Sequence, residues 1–588
     1  MKFIATITSA VLLAYAVPNE FALFGHAGTA FLCLAPYFAA LGMTKSYRGA
    51  ALLGFFFGVV SHAVSSYWLY FFKDFALWTL GSTSLAYGFL HMLVAAFLRW
   101  GTQAPQIERI LWPLETIPLG NWPLAVKPVH HRSNTSFSHF SLLRPFVLAA
   151  LWTLWEWGKS NGFLGYPWGL VAYGLNNYPL MIQIVDSLGV YGLSFFLAFS
   201  SALMVELLPL LPLIKVPRDF PAYRLVSQEN KKFEILNRSE GTLGQKLWWR
   251  PVLMFVVLFL WFAGYGTYRL SRPTPVVDEL PLLLVQHNAD SWVGGELPAL
   301  RTAIRLSREG LATFKESTGL EKPSLIVWSE TVLRRPFEDY RPFFRNNPRQ
   351  DPLIPFLEET QLPLLTGAPV VLNWETFDAT NSVIYINPDA SVSYSYAKRH
   401  PVPFAEAIPF WEYQWMRDLM ANLVGIDGSW TMGTEAVVME VPNQEGRLIR
   451  FGTPICFEDA FPSVCRDFFA EGADLLINLT NDSWSRTVSS ELQHLVAARF
   501  RTIENRRVLV RSTNGGITSV IDAEGKIIQS IPPFTESYLA VRVPIQKQAA
   551  PTVYYLLGDW FTALLGFFVL IWMMIGIRVV RTGQAERP

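Results

Sequence analysis

The stretch Phe451-Gly452-Thr453-Pro454-Ile455-Cys456-Phe457-Glu458-Asp459-Ala460 predicts a strand that ends at a cysteine. An apolar run leads into Cys456, and a helical pattern over 460–471 follows it. A cysteine between a strand and a helix meets the helix N-terminus, whose dipole favours an anion. We therefore expect a lowered thiol pKa at Cys456 and a nucleophilic thiolate.

Two charged residues upstream also follow strand-like runs: Glu330 comes after 324–329, and Lys398 comes after 393–397. Acyl transfer through cysteine needs a base, a nucleophile and donors for the oxyanion. We assign Glu330 as the base and Cys456 as the nucleophile. Lys398 and the backbone N–H after Cys456 are the expected oxyanion donors. Taken alone, Glu330 is better explained as a charge at a helix N-terminus and Lys398 as a solvated strand end; their joint occurrence at strand ends with Cys456 favours the catalytic assignment.

Further residues near these three have expected supporting roles. Glu406 is expected to orient Lys398, and Glu458 either to do the same or to support the fold. Apolar neighbours are expected to exclude water and so to raise the pKa of Glu330; they are Trp328, Phe404 and Phe457.

Strand and helix patterns alternate through the second half of the chain, which predicts an α/β layered sandwich. The predicted strands cover 280–287, 324–329, 363–371, 381–390, 391–398, 448–455, 473–479, 508–522 and 526–531. The predicted helices cover 298–314, 354–359, 460–471 and 490–505.

The first half of the chain predicts a membrane protein. Hydrophobic residues make up 51% of the chain and charged residues only 16%, against about a quarter charged in soluble proteins. Apolar stretches approach the roughly 20 residues that a bilayer crossing needs. Eight are expected, at 1–16, 21–43, 51–72, 75–99, 145–161, 188–213, 251–270 and 557–580. The first also fits a signal peptide, with Lys2 and an Ala14-Tyr15-Ala16 ending.

Basic residues between these stretches predict the orientation. An even number of predicted membrane crossings separates the segments that carry them, so they all lie on the same side of the membrane. The positive-inside rule makes that side cytoplasmic. We therefore expect membrane helices over 1–271, an external catalytic domain over 272–556, and a last helix with a cytoplasmic tail over 557–588.

Two features near the fifth stretch have open readings. The segment 161–170, rich in aromatic residues, is either a plain interfacial loop or a lipid-facing rim beneath the active site. Glu156 and Lys159 are spaced to pair on one helix face, and we expect a structural pair.

Charge and cysteine usage exclude several classes of protein. The net charge of +1 argues against nucleic-acid binding. The three cysteines suggest no disulfide framework. The nine histidines show no metal-ligand spacing; three of them, His287, His400 and His494, are expected to make local hydrogen bonds. No metal or cofactor is expected.

Several motifs together resemble the nitrilase superfamily and, over nearly the full length, the bacterial apolipoprotein N-acyltransferase family. They are Val285-Gln286-His287-Asn288 with Trp292, 326–331, 398–409, 455–458, Asn481-Asp482-Ser483-Trp484, Gln493-His494, 511–518 and Gly558-Asp559-Trp560. The resemblance implies a nitrilase-like αββα sandwich on eight transmembrane helices. It also implies a Glu330–Lys398–Cys456 triad assisted by Glu406, with Trp292, Phe457 and Glu458 near the site.

The resemblance further implies a two-step reaction without a cofactor. Cys456 takes an acyl chain from a phospholipid, typically phosphatidylethanolamine, and passes it to the amine of the S-diacylglyceryl cysteine of an apolipoprotein. The expected protein is a monomer in the bacterial inner membrane, with its catalytic domain in the periplasm. The sequence departs from the family pattern at Phe457 (usually Tyr), Ala405 (usually Gly) and Ser485 (often Gly).

Two other functions fit parts of the sequence. A membrane-tethered amidase or nitrilase would use the same triad with water as the acceptor, but soluble members of that superfamily need no membrane helices. A transporter would require paired charges or broken helices at the membrane midplane, and only Glu156 and Lys159 are candidates.

Overall fold

The computed structural model describes residues 1–72, 76–102, 143–207, 249–290, 295–340, 352–376, 378–424 and 428–585. Among these residues, apolar helices precede the first strand, and two more helices follow the last strand. The helices before the first strand are Lys2–Ala16, Ala27–Ala30, Ala35–Gly42, Tyr47–Ser65, Ala76–Gly101, Leu143–Lys159, Pro179–Ile182, Val185–Leu207 and Trp249–Leu270. Those at the C-terminal end are Val553–Leu557 and Trp560–Ala585.

Four of the described helices are long and apolar enough to cross a membrane: Tyr47–Ser65, Ala76–Gly101, Val185–Leu207 and Val252–Leu270. The predicted second span, 21–43, is not one helix. It forms the short helices Ala27–Ala30 and Ala35–Gly42, with Pro36 at the start of the second, where a missing N–H is tolerated. The chain therefore has several apolar membrane helices, and the count of eight stays a prediction.

Twelve strands are described in the second half of the chain. They are β1 (Val276–Gln286), β2 (Leu325–Trp328), β3 (Leu364–Asn373), β4 (Asp378–Ile386), β5 (Val392–Ala397), β6 (Val438–Pro442), β7 (Leu448–Gly452), β8 (Leu475–Asn481), β9 (Val508–Asn514), β10 (Ser519–Ile521), β11 (Ile527–Ser530) and β12 (Ser537–Gln546). They form two six-stranded sheets, ordered β12-β1-β2-β3-β4-β5 and β11-β10-β9-β8-β7-β6. Each sheet has a parallel centre, β1-β2-β3 and β7-β8-β9, and antiparallel edges.

Alternating side chains of β1 separate the two faces of its sheet. Leu282 and Leu284 belong to the core shared with the second sheet, whereas Leu283 and Val285 pack with the helix Glu296–Thr318. This period of two is what a strand buried on both faces requires. The other helices here are Leu353–Thr360, Gln414–Val424, Pro462–Ala470 and Val488–Asn505. The result is a four-layer αββα sandwich, as predicted.

The structure revises several predicted elements. The strand predicted to reach Ile455 ends at Gly452, because Pro454 has no N–H for the ladder. The strand predicted over 508–522 is interrupted after Asn514, where Gly515 has a φ of 78°. Strands β6 and β12 were not predicted. β12 pairs with β1 along the whole length of β1, and a partner about 260 residues away in the sequence cannot be identified from either strand alone.

The helix Val488–Asn505 is buried although its sequence is polar. One side packs on the second sheet, and the other meets the membrane helices. Gln493 donates to the carbonyls of Pro18 and Ser65 and accepts from Trp68. Buried polar groups need such partners, and Gln493 thus joins the two halves of the chain through three hydrogen bonds.

Candidate active site

The three predicted catalytic residues follow the ends of three strands. Glu330 lies two residues after β2, Lys398 directly follows β5, and Cys456 follows β7. In α/β sheets the loops beyond strand ends carry functional groups. The structure brings all three together between the sheets, and each is buried.

Cys456 lies in a strained turn. Its φ is 52°, a left-handed conformation that costs a non-glycine residue energy and is typical of functional sites. A short 3-10 helix, Cys456–Ala460, begins there, and the helix Pro462–Ala470 follows. Asn478 holds the turn by donating to the carbonyl of Cys456 at 2.8 Å.

Lys398 is held by carboxylates. Its Nζ lies 2.7 Å from Oε1 of Glu406 and 4.0 Å from Oε1 of Glu330. The second oxygen of Glu406 accepts from the N–H of Val402 at 2.8 Å, which fixes the carboxylate. The structure thus places Glu406 where we expected it to orient Lys398.

Glu330 is held by two asparagines. Asn381 donates to its Oε1 at 2.8 Å, and the backbone N–H of Asn481 donates to its Oε2 at 3.0 Å. Asn381 also donates to Glu406 at 3.1 Å, so one amide bridges both carboxylates. Asn381 was not foreseen: it lies inside β4, and the only signal was a polar residue in a buried strand.

Burial dominates the electrostatics of the site. It raises the pKa of Glu330, while the Lys398 charge lowers it and the Glu406 charge raises it. Burial by itself lowers the pKa of Lys398, but the charges of Glu406 and Glu330 outweigh it and raise that pKa. Lys398 therefore stays protonated beside the nucleophile.

The expected low pKa of Cys456 is wrong. Burial and then the Glu330 charge raise the thiol pKa well above its usual range, and Lys398 only partly offsets them. The resting nucleophile is a thiol, because burial and the negative charge of Glu330 both disfavour the thiolate. A base that removes its proton during attack is therefore required.

Glu458 supports the fold. Its carboxylate accepts from the backbone N–H groups of Ile455, Arg399 and His400 and from the hydroxyl of Tyr396. These bonds tie the nucleophile turn to the segment that follows Lys398. Of the two roles expected for Glu458, the contacts favour the second.

Aromatic side chains close the site on the membrane side. The ring of Phe457 lies 5.3 Å from Nζ of Lys398 and 6.1 Å from the ring of Trp168. Trp168 belongs to the predicted interfacial segment 161–170, which therefore reaches the catalytic site. Phe404 is half exposed and does not shield Glu330, whereas Trp328 and Phe457 are buried. Trp292 lies outside the described residues.

Glu156 and Lys159 do not pair as expected. Oε1 of Glu156 accepts from Trp152 and from the N–H of Val171. Lys159 donates to the carbonyl of Trp168 at 2.5 Å. Both side chains instead fasten the segment that carries Trp168 to the helix Leu143–Lys159.

Two family models match different halves of the chain. The apolipoprotein N-acyltransferase N-terminal domain matches residues 9–203, and the carbon-nitrogen hydrolase model matches residues 358–550. A crystal structure of Saccharomyces cerevisiae Nit3, of the nitrilase superfamily, covers 46% of this chain and 91% of that chain at 16% identity and a TM-score of 0.33.

Curated relatives match along nearly the whole length. Apolipoprotein N-acyltransferase 2 of Treponema denticola is 35% identical over 97% of this chain and 96% of the relative. The protein of the same name from Treponema pallidum is 34% identical over 99% and 97%. Apolipoprotein N-acyltransferase of Borreliella burgdorferi is 27% identical over 96% and 93%. With the αββα sandwich, the apolar helices and the buried cysteine site, these matches show that the chain belongs to the apolipoprotein N-acyltransferase family.

Proposed function

We propose that this chain N-acylates apolipoproteins, with Glu330, Lys398 and Cys456 as its catalytic residues. The supporting observation is the full-length similarity to relatives that bear this activity in their names. It is joined by a cysteine site whose Phe457 meets Trp168 of the segment 161–170, in the membrane half of the chain. A site that both touches the membrane half and excludes water suits a lipid substrate.

The first step forms a thioester. Glu330 takes the proton of the Cys456 thiol while the sulfur attacks the ester carbonyl of a phospholipid, and the oxyanion forms near the charge of Lys398. When the tetrahedral intermediate collapses, the bond to the glycerol oxygen breaks. That oxygen takes the proton from Glu330, and a lysophospholipid leaves.

The second step transfers the acyl chain. The amine of an S-diacylglyceryl cysteine attacks the thioester, and Glu330 accepts the amine proton. The C–S bond breaks, the Cys456 sulfur recovers a proton from Glu330, and an amide is released. The enclosed position of Cys456, 9% exposed, protects the thioester from water until the amine arrives.

The proposal extends to the arrangement in the cell. We assign eight membrane spans, the division 1–271, 272–556 and 557–588, and a catalytic domain on the periplasmic face of the inner membrane. The proposed donor is phosphatidylethanolamine, and the proposed protein is a monomer.

Cysteine labelling tests this orientation. Single cysteines are placed at Lys45 or Glu375 in a cysteine-free chain and are labelled in spheroplasts with a membrane-impermeant maleimide. Labelling at position 375 alone supports a catalytic domain on the periplasmic face. Labelling at position 45 alone would place that domain on the cytoplasmic face and contradict the proposal.

The thioester step has a direct test. The wild-type protein is mixed with phosphatidylethanolamine vesicles, and intact mass is measured for one added acyl group that hydroxylamine removes. We expect the adduct in the wild type and in the control Cys465→Ala, and neither adduct nor N-acylation in Cys456→Ala. An acylated lipoprotein product formed by Cys456→Ala would eliminate the thioester mechanism.

The amidase alternative predicts a different acceptor. It is supported by the match of residues 358–550 to the carbon-nitrogen hydrolase model. The match of residues 9–203, to the apolipoprotein N-acyltransferase N-terminal domain, does not support it. Steady hydrolysis of short amides, with no acyl adduct from phospholipid, would favour it over N-acylation.

A further inference from the structure

A second group of buried charges lies behind the nucleophile turn, outside the catalytic set. Its members are nearly inaccessible to solvent and come from four separate elements; they are Asp459, Asp482, Glu491, His494 and Arg511. Acyl transfer as described above uses none of them. A buried charge is costly unless it is paired, so the arrangement of these groups calls for an explanation.

Both ring nitrogens of His494 face carboxylates. Nδ1 lies 2.9 Å from Oδ1 of Asp482, and Nε2 lies 2.9 Å from Oδ1 of Asp459. A neutral imidazole has a single N–H and satisfies one such acceptor, whereas the imidazolium satisfies both. The geometry therefore requires the charged form.

The two carboxylates belong to the two loops that build the catalytic site. Asp459 lies three residues after Cys456, in the same 3-10 turn. Asp482 directly follows Asn481, whose N–H holds Oε2 of Glu330 at 3.0 Å. His494 thus spans the distance between the turn of the nucleophile and the loop that orients the base.

Arg511 contacts the same two residues through their other oxygens. It pairs with Oδ2 of Asp459 and lies 3.5 Å from Oδ2 of Asp482. Two carboxylates, one guanidinium and one imidazolium make a cluster of zero net charge. If His494 lost its proton, one negative charge would remain uncompensated, and the charge of Asp482 is among those that raise the pKa of the Cys456 thiol.

We propose that His494 is a positioning residue for acyl transfer: as an imidazolium it holds the Cys456 turn and the Glu330 loop in register and neutralises Asp482 beside the thiol. The proposal rests on the proposed function. His494 lies on the helix Val488–Asn505, and its ring is 5.6 Å from the ring of Trp168. The same side chain therefore also contacts the membrane half of the chain.

The pH dependence follows from the charges that face His494. Burial lowers its pKa, but the charges of Asp482 and Asp459 outweigh burial and Arg511 and raise the pKa from 6.5 to about 9. Glu491 also faces His494. Burial and the charge of Asp482 raise the pKa of Glu491 well above its usual range, so its carboxyl group is neutral. His494 in the folded protein is therefore an imidazolium below about pH 9. The stability that this charge adds is fully present below pH 6.5 and is lost as the pH rises through about 9.

The test compares His494→Gln with the double variant His494→Gln/Asp482→Asn. Glutamine is neutral, so the single variant leaves the cluster with a net negative charge, and the double variant restores neutrality. The measurements are the single-turnover rate of Cys456 acylation by phosphatidylethanolamine vesicles, the pH profile of iodoacetamide alkylation at Cys456 by peptide mass spectrometry, and the thermal midpoint. His26→Gln, at an exposed histidine of the membrane half, is the control.

We expect His494→Gln to acylate about 10²-fold more slowly, as a misplaced reacting group does, and to alkylate only at higher pH. The double variant should regain about tenfold, and His26→Gln should match the wild type. Wild-type acylation and alkylation in His494→Gln would overturn the proposal. The proposal would also be overturned if the acylation rate fell only in proportion to a lowered thermal midpoint and Asp482→Asn did not restore it. The alkylation profile needs no lipid, so it tests the positioning role even if the wild type forms no acyl adduct.

Discussion

At the scale of single residues, the site is a chain of charges whose members set one another's pKa. Glu406 holds Lys398 at 2.7 Å, and its charge adds to burial in raising the pKa of Glu330. The residue types were readable from the sequence, since a base, a cation and a thiol were all required. The raised pKa of Cys456 was not readable, because it depends on burial by distant segments.

Replacing Glu406 by glutamine should therefore have two effects. Loss of a charge-assisted hydrogen bond to Lys398 should slow acyl transfer by about 10–100-fold. Since the Glu406 charge raises the pKa of Glu330, its removal should also move the acidic limb of the pH–rate profile to lower pH. Glu375→Gln, at an exposed turn, is the control. An acidic limb that stays in place or moves to higher pH would contradict this account.

At the scale of elements, close backbone approach joins some of the membrane-half helices. A Cβ added to Gly266 would lie 1.8 Å from the carbonyl oxygen of Leu180, in the helix Pro179–Ile182. Small residues allow such approach between helices in membranes. Gly264, two residues away on the same helix, has open space around it, so the two glycines have different roles.

Gly266→Ala should accordingly lower the free energy of unfolding by about 1–3 kcal/mol through overpacking. Gly264→Ala should not, because alanine favours a helix and meets nothing there. The thermal midpoints of both variants, purified in detergent, give the comparison. Equal midpoints for the two variants would show that the approach of Gly266 to Leu180 is not a tight contact.

At the scale of the whole molecule, a buried ionic contact fastens the sandwich to the helices. Nη2 of Arg506 lies 2.7 Å from Oδ2 of Asp186, and its Nη1 donates to Gln183 at 2.7 Å. Arg269 reaches the same carboxylate at 2.9 Å. The two halves are thus joined by charges that water does not screen.

Arg506→Met should destabilise the junction by about 3 kcal/mol, since it leaves part of a buried ion pair without a partner. Arg305→Met, at the exposed pair Arg305–Glu309, should change stability little. Thermal unfolding followed by limited proteolysis measures both. If cleavage between the halves becomes no faster in Arg506→Met than in the control, the contact does not hold them together.

The sequence by itself determined the class of protein, the strands that precede Glu330, Lys398 and Cys456, and the family, because these depend on local period and on residue type. Tertiary structure alone decided the protonation of Cys456, the bridging by Asn381 and the pairing of Asp186 with Arg506. The physical reason is distance along the chain: Asp186 and Arg506 are 320 residues apart. Such contacts and the burial that strengthens them exist only once the sheets and helices have packed.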